Sequence, residues 1–278
     1  MAFKTMTVNG VTYLTSDALL SRHAFSTRKG GVSTLPHTSS LNLAFGRGDE
    51  RATVLQNLSL FAAAVGVDPA SVVSVPQVHG NRVHVLDTRH RGMGYHTEAT
   101  MEGDGYVTAD PAVTPGIKTA DCTPILLEAR ANGLPVAVAA LHAGWKGTVA
   151  DIAGEGVRAL TETARAVAGA SAEITVHAAI GPCIHACCFE VKEDCLTRVR
   201  ASLGDMAEAF ILHREEKTYL DLPALNRALL LRAGVEEAHV DVCPDCTACT
   251  PTRFYSHRAS GGVRGTLLSV ISLFGGKN

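Results

Sequence analysis

The stretch Gly116–Gly147, GIKTADCTPILLEARANGLPVAVAALHAGWKG, decides the fold class. It packs three short β-rich runs close together: Gly116–Thr119, Pro124–Glu128 and Pro135–Leu141. A doubly wound parallel sheet needs a helix between successive strands, and none fits between these. Helical spacing returns only over Thr148–Val167, through Val149, Ile152, Val157, Leu160 and Val167.

The same irregular mixture continues outward on both sides. Ser71–Val75 and Arg82–Leu86 read as strands flanking the turn-like Pro76-Gln77-Val78-His79-Gly80, and His90–Met101 reads as an exposed loop. Asp49 is placed to cap a helix over Glu50–Val65, with Val54, Leu58, Phe61, Ala62 and Val65 on one face and Gly66 at its end. Phe3–Leu14 alternates around Asn9-Gly10, the signature of a hairpin with a type I′ turn. Toward the C-terminus the spacing predicts a strand over Glu173–Ile180 and a helix from about Lys192. A helix capped by Asp221 follows, with Pro223 in its first turn and Gly234 beyond its end, then strands at His239–Val242 and Thr266–Phe274. About four helices among so many strands predict an α+β fold with mixed sheets. With no linker-like stretch and no repeat, residues 1–278 read as a single domain.

Composition narrows the class of function. The chain of 278 residues is 46% hydrophobic with a formal charge of −2, which excludes a disordered protein. A pI near 6.6 leaves no overall basic field, so nucleic acid is not an expected partner. The opening residues lack the apolar core of a signal peptide, and no apolar run reaches the roughly 18 residues of a membrane span. The expectation is a soluble cytoplasmic protein without a membrane partner. Eight cysteines and twelve histidines then stand out, because a reducing compartment favours metal binding, catalysis or core filling over disulfides.

Three segments place a polar side chain at a strand end beside a tight turn: Gln77-Val78-His79-Gly80, Thr119-Ala120-Asp121-Cys122-Thr123-Pro124 and Leu141-His142-Ala143-Gly144-Trp145-Lys146-Gly147. Such side chains converge on clefts. His79, Cys122 and His142 make a ligand set for zinc with a fourth position open. Their gaps of 43 and 20 residues match no local ligand spacing, however, and Cys122 and His142 read as well as ordinary core residues. The same atoms also serve nucleophilic catalysis, with Cys122 as thiolate, His142 as base and Asp121 or Gln77 as orienter or oxyanion donor.

Cys243-Pro244-Asp245-Cys246-Thr247-Ala248-Cys249 carries two overlapping CxxC patterns, and Cys183, Cys187 and Cys188 lie in a second run. A structural zinc site wants two such pairs, and the second run supplies one only loosely, so these read first as turn and core residues. Arg28-Lys29-Gly30-Gly31 has the makings of a phosphate pocket, with Arg47, Arg253 and Arg258 as further donors, or of a plain solvated turn. No phosphate-loop or dinucleotide fingerprint is present. Trp145, the single tryptophan, covers a pocket or packs at a rim.

Read together, seven short motifs in order resemble the laccase-domain, or polyphenol-oxidase-like, family. They are Thr27-Arg28-Lys29-Gly30-Gly31-Val32-Ser33, Leu41-Asn42-Leu43, Gln77-Val78-His79-Gly80, Thr119–Pro124, His142–Gly147, Ile180-Gly181-Pro182 with Phe189-Glu190-Val191, and Cys246-Thr247 with Phe254-Tyr255-Ser256-His257-Arg258. Bacterial members of that family are described as zinc-dependent purine nucleoside phosphorylases. The resemblance implies a layered α/β/β/α sandwich and zinc on His79, Cys122 and His142. It also implies phosphorolysis of adenosine, inosine, guanosine and methylthioadenosine, with adenosine deamination beside it. On that footing Cys122, His142 and Asp121 are expected in catalysis, Asp121 in proton transfer, and Arg28, Asn42 and Lys146 at the nucleoside or phosphate. One departure is His185-Ala186, where relatives carry a second Gly-Pro. Three ligands do not build the several copper centres of a multicopper oxidase. The rival readings are an amidase that edits a UDP-muramyl-amino acid precursor of peptidoglycan and a metal- or redox-responsive binding protein. The assembly is expected to be a monomer or a homodimer.

Overall fold

The computed structural model describes residues 2–273. Asn9 and Gly10 both take positive φ, 50° and 84°, and join β1 (Phe3–Val8) to β2 (Val11–Ser16) in the expected hairpin. β3 (Arg22–Ser26) pairs with β2, and α1 (Arg51–Val65) ends where Gly66 enters the left-handed region. Asp49 does not cap α1. Its carboxylate accepts from Ser33, Thr38 and Asn42 instead, and Glu50 occupies the N-cap without a side-chain bond.

Next come β4 (Val72–Val73), β5 (Val83–Val85), β6 (Gly105–Thr108), β7 (Thr114–Thr119), β8 (Thr123–Ala131) and β9 (Leu134–Ala143). The helix expected over Thr148–Val167 is two helices, α2 (Trp145–Val149) and α3 (Ile152–Ala168). The break falls at Asp151, which takes φ 61° and caps α3 by accepting from the Gly154 N–H. β10 (Ile174–Ile180), α4 (Glu193–Leu203), β11 (Ile211–Arg214), β12 (Lys217–Leu220), α5 (Leu222–Arg232), β13 (Val240–Val242) and β14 (Leu267–Ser272) complete the order. Asp221 caps α5 as the sequence predicts. The strand expected over Thr266–Phe274 is β14, with Phe274 outside the described residues.

Two six-stranded mixed sheets result, ordered β1-β2-β3-β14-β7-β4 and β13-β10-β8-β9-β6-β5, with β11-β12 as a separate ribbon. Leu14, Phe25 and Ile117 from the first sheet meet Tyr106, Leu126, Val138 and Ala179 from the second in the layer between them. Each large apolar side chain buried there contributes about 1.5–3 kcal/mol. α1 covers the outer face of the first sheet through Val54, Leu58 and Phe61, while α3, α4 and α5 cover the outer face of the second. The layering is therefore α/β/β/α. Two connections that pass from the first sheet to the second, β4 to β5 and β7 to β8, carry His79 and Cys122 respectively. Among the described residues, no helix is long and apolar enough to cross a membrane.

Candidate metal centre and the clefts beside it

Strand register gathers the site. β8 and β9 pair so that Pro124 faces His142, and β6 and β9 so that Gly105 faces Leu141. Cys122 immediately precedes β8 and Asp104 immediately precedes β6, so both arrive beside His142 at one end of the second sheet. Asp104 is fully buried, and its carboxylate accepts from His142 Nδ1 at 2.8 Å. It also accepts from the backbone N–H groups of Val78, His79 and Gly80 at 3.2, 2.9 and 2.8 Å, which holds His79 at a positive φ of 61°. Burial pushes the Asp104 carboxyl up, and the bonds from His142 and the backbone outweigh it and hold it below the usual range.

With Nδ1 engaged, His142 keeps Nε2 for the cluster. Cys122 Sγ lies 3.8 Å from His79 Nε2, the two imidazole rings sit 4.8 Å apart nearly edge to face, and the ligand atoms of all three residues fall within 4.8 Å of one another. Gly144 makes room for this closure, because a Cβ there would stand 2.8 Å from His79 Cδ2 and 3.2 Å from Cys122 Sγ. Burial pushes the Cys122 thiol up, but the His142 charge and hydrogen bonds from both histidines bring it down to about 6. Burial pushes His142 down, but the Cys122 thiolate and Asp104 bring it up to about 9. Each group thus favours the charged form of the other. Two imidazole nitrogens and a thiolate, with an open side, are the donor set of a borderline-soft divalent ion.

A cleft opens on each side of the cluster. One, of about 290 Å³, brings Arg47, Lys118 and Arg264 to His79, Cys122 and His142. Burial, then the Arg47 charge, pushes Lys118 down to about 8 and Arg264 down to about 10. Two polar atoms of this cleft, Thr119 Oγ1 and Arg264 Nε, are buried with no hydrogen-bond partner among the described residues. Crowded cations and spare donors favour a bound anion. The other cleft, of about 440 Å³, is walled by Val78, Trp145, Ile184, Phe189 and Leu222, with Lys146 and Arg258 at its polar edge.

The structure thus brings His79, Cys122 and His142 together and places Lys146 in the apolar-walled cleft. It corrects the orienter of His142: that role falls to Asp104, not Asp121 or Gln77. The Gln77 amide pairs with the backbone of Lys118. Asp121 takes φ 96°, a costly backbone for a residue with a Cβ. Its carboxylate is held by Thr247 Oγ1 and the Arg258 N–H, each at 2.7 Å, so it braces the loop that presents Cys122. Asn42 lines neither cleft. It is fully buried, donating to Ala44 O and Asp49 and accepting from Ala44 N and Thr266 N. Arg28 binds the carbonyls of Ser39 and Pro251 and lies over the Tyr255 ring, in a separate surface groove. Arg253 is paired with Asp245. The sequence reading missed Asp104, Lys118 and Arg264. For Asp104 the available signal was a lone acid between two glycines, Gly103 and Gly105, ahead of the apolar Tyr106-Val107.

Residues 22–274 match the profile of a family described as multi-copper polyphenol oxidoreductase laccase. The chain belongs to that family. Within the laccase family it is 39% identical over 269 residues to a purine nucleoside phosphorylase of Deinococcus radiodurans, covering 96% of this chain and 95% of the relative. It is 35% identical over 241 residues to adenosine deaminase RL5 of an unknown prokaryotic organism, covering 86% of this chain and 88% of that protein. The crystal structure of a Bacillus licheniformis hypothetical protein, YfiH, superposes with a TM-score of 0.85 at 27% identity, over 98% of this chain and 99% of the other.

Proposed function

We propose that this chain is a zinc-dependent purine nucleoside phosphorylase acting on adenosine, inosine, guanosine and methylthioadenosine, and that it also deaminates adenosine. The observation that carries the reading is the placement of the His79, Cys122 and His142 cluster between a cationic cleft and an apolar-walled one. The printed names of the Deinococcus phosphorylase and of deaminase RL5 support both halves of it.

A zinc ion on these ligands supplies a Lewis acid and a water made acidic enough to react near neutral pH. Asp104 fixes the tautomer of His142 and the backbone of His79, so the ligand atoms are arranged before any substrate arrives. Arg47, Lys118 and Arg264 hold the phosphate, whose charge offsets burial and the Arg47 charge that together push Lys118 and Arg264 down. Trp145, Phe189 and Ile184 take the flat purine, with the ribose between the two clefts where attack at C1′ occurs. Lys146 lies at the polar edge of that cleft for substrate contact, and Asp121 acts through the Cys122 loop as a positioning residue.

The test is zinc-loaded protein with each nucleoside and phosphate, its products separated by chromatography. Free base with ribose 1-phosphate, and inosine from adenosine, are the expected products. No turnover of any of the four nucleosides overturns the reading, and release of serine from UDP-muramyl-serine would move the chain to cell-wall editing. Cys122→Ala should lose the zinc held with His79 and His142, and activity with it; a zinc content equal to that of wild type would remove Cys122 from the ligand set.

A further inference from the structure

We propose that Cys187, Cys188, Cys246 and Cys249 form a second metal site, a four-thiolate site for one zinc-class divalent ion. The site is separate from His79, Cys122 and His142, and it fastens the loop after β10 to the loop after β13.

Chain topology makes the site. β10 and β13 are parallel neighbours, pairing Ala178 with Val240 and Ile180 with Val242, so the two chains leave the sheet side by side. They stay in register beyond it. The Cys243 N–H donates to Ile180 O at 2.8 Å, Cys183 bridges Cys246, and the Thr247 N–H donates to Cys183 O at 2.9 Å. Six of the eight cysteines lie on these two loops, and the structure sorts them. Cys183 and Cys243 are fully buried and fill the core as the sequence predicts, whereas the other four turn toward one another.

Cys249 Sγ lies 3.3 Å from Cys187 Sγ and 3.3 Å from Cys188 Sγ, and all four sulfurs fall within 4.8 Å of one another. A tetrahedron of sulfurs about 2.3 Å from a zinc ion has edges of about 3.8 Å, inside that spread. All four thiols are free. Cys246, the innermost, accepts the His185 N–H at 3.4 Å, a backbone donor suited to a charged sulfur. The Arg258 guanidinium donates to the carbonyls of Cys188 and Glu190 at 3.0 and 2.9 Å, which sets a positive charge beside a centre that is net negative when four thiolates hold a divalent ion. Binding releases the thiol protons to solvent and forms four sulfur–metal bonds, with no change of oxidation state. The pairing that the sequence reading lacked is therefore Cys187-Cys188 with Cys246-x-x-Cys249.

The site touches the cleft through Asp121. Thr247, inside the Cys246-x-x-Cys249 turn, donates to one carboxylate oxygen of Asp121, and the Arg258 N–H donates to the other. An ion on the four cysteines would brace both partners of the strained residue that presents Cys122.

The test is elemental analysis of untagged protein purified under reducing conditions, with circular dichroism as the check on folding. Wild type should hold two zinc ions per chain. Cys122→Ala and the double variant Cys187→Ser/Cys249→Ser, which changes exposed positions, should each hold one. Cobalt(II) added to metal-free Cys122→Ala should produce the intense bands of tetrahedral tetrathiolate cobalt, absent when Cys187→Ser/Cys249→Ser is added to that background. Folded Cys122→Ala with no metal and no such bands overturns the proposal, as does a mass lower by two hydrogens in place of metal, the mark of a disulfide. A wild type with one ion, lost in Cys187→Ser/Cys249→Ser and kept in Cys122→Ala, supports this site and overturns the ligand assignment at His79, Cys122 and His142 instead.

Discussion

Because Asp104 accepts from His142 Nδ1 and from three successive N–H groups around His79, one carboxylate sets both imidazoles at once. Asp104→Asn keeps the volume but replaces one acceptor oxygen by a donor that faces other donors. Metal affinity should fall about 10–100-fold, read by competition with a chelator, and an unchanged affinity would deny Asp104 its role. The thiolate state of Cys122 is testable separately. Its lowered pKa adds stability that is complete above the ordinary thiol value near 9 and is lost as pH falls through about 6. The raised pKa of His142 adds stability that is complete below the ordinary imidazole value near 6.5 and is lost as pH rises through about 9. In metal-free protein, alkylation of Cys122 by iodoacetamide, followed on its own peptide, should be flat between about pH 7 and pH 8 and fall below about pH 6. A rate still climbing tenfold across that upper interval would show an ordinary thiol. Cys122 and His142 drew notice in the sequence as polar residues at strand ends, while His79, expected at a strand end, lies inside the β4–β5 connection, and it was the resemblance that joined the three into one set. Asp104 was not legible in the sequence, since it matters only once β6 lies beside β9.

Helix α3 rests on β9 through a glycine. A Cβ on Gly156 would stand 2.4 Å from Leu141 Cδ1, one residue before His142. Gly156→Ala should cost about 1–3 kcal/mol by overpacking, seen as a lower midpoint of thermal unfolding, and a midpoint equal to wild type would mean that the helix is free to lift. The elements that sequence rules found are those set by local chemistry: the Asn9-Gly10 hairpin, the Gly66 stop and the Asp221 cap. Those missed were β3, β6, β11 and β12. β6 is buried at all four positions and β3 at four of five, so neither shows the alternation that marks a half-exposed strand. Asp49 looked like a cap because only its neighbours in sequence were visible; in space it is claimed by Ser33, Thr38 and Asn42. The break at Asp151 escaped because apolar spacing runs straight through it.

Over the whole molecule a formal charge of −2 conceals a local concentration of positive charge at the cluster. Arg264→Ala should raise the apparent KM for phosphate by tenfold or so, on the order of 1.4 kcal/mol for one charge-assisted contact, with a smaller effect on the nucleoside KM. Arg28→Ala should leave the phosphate KM alone and lower thermal stability, since that guanidinium ties Ser39 and Pro251 together over Tyr255. The reverse pattern would return the phosphate to the basic loop. The α/β/β/α layering came from resemblance, and the α+β character from strand crowding, but which strands share a sheet depends on pairings far apart in the chain, such as β14 between β3 and β7. That interleaving has a kinetic side. His79 and Cys122 ride on the two connections that pass from the first sheet to the second, while His142 belongs to the second sheet itself. Cys122 and His142 meet through the β8–β9 register, and Asp104 at the head of β6 draws the connection carrying His79 onto them, so the three donors gather as the second sheet forms and an ion added during refolding is captured once that connection is held.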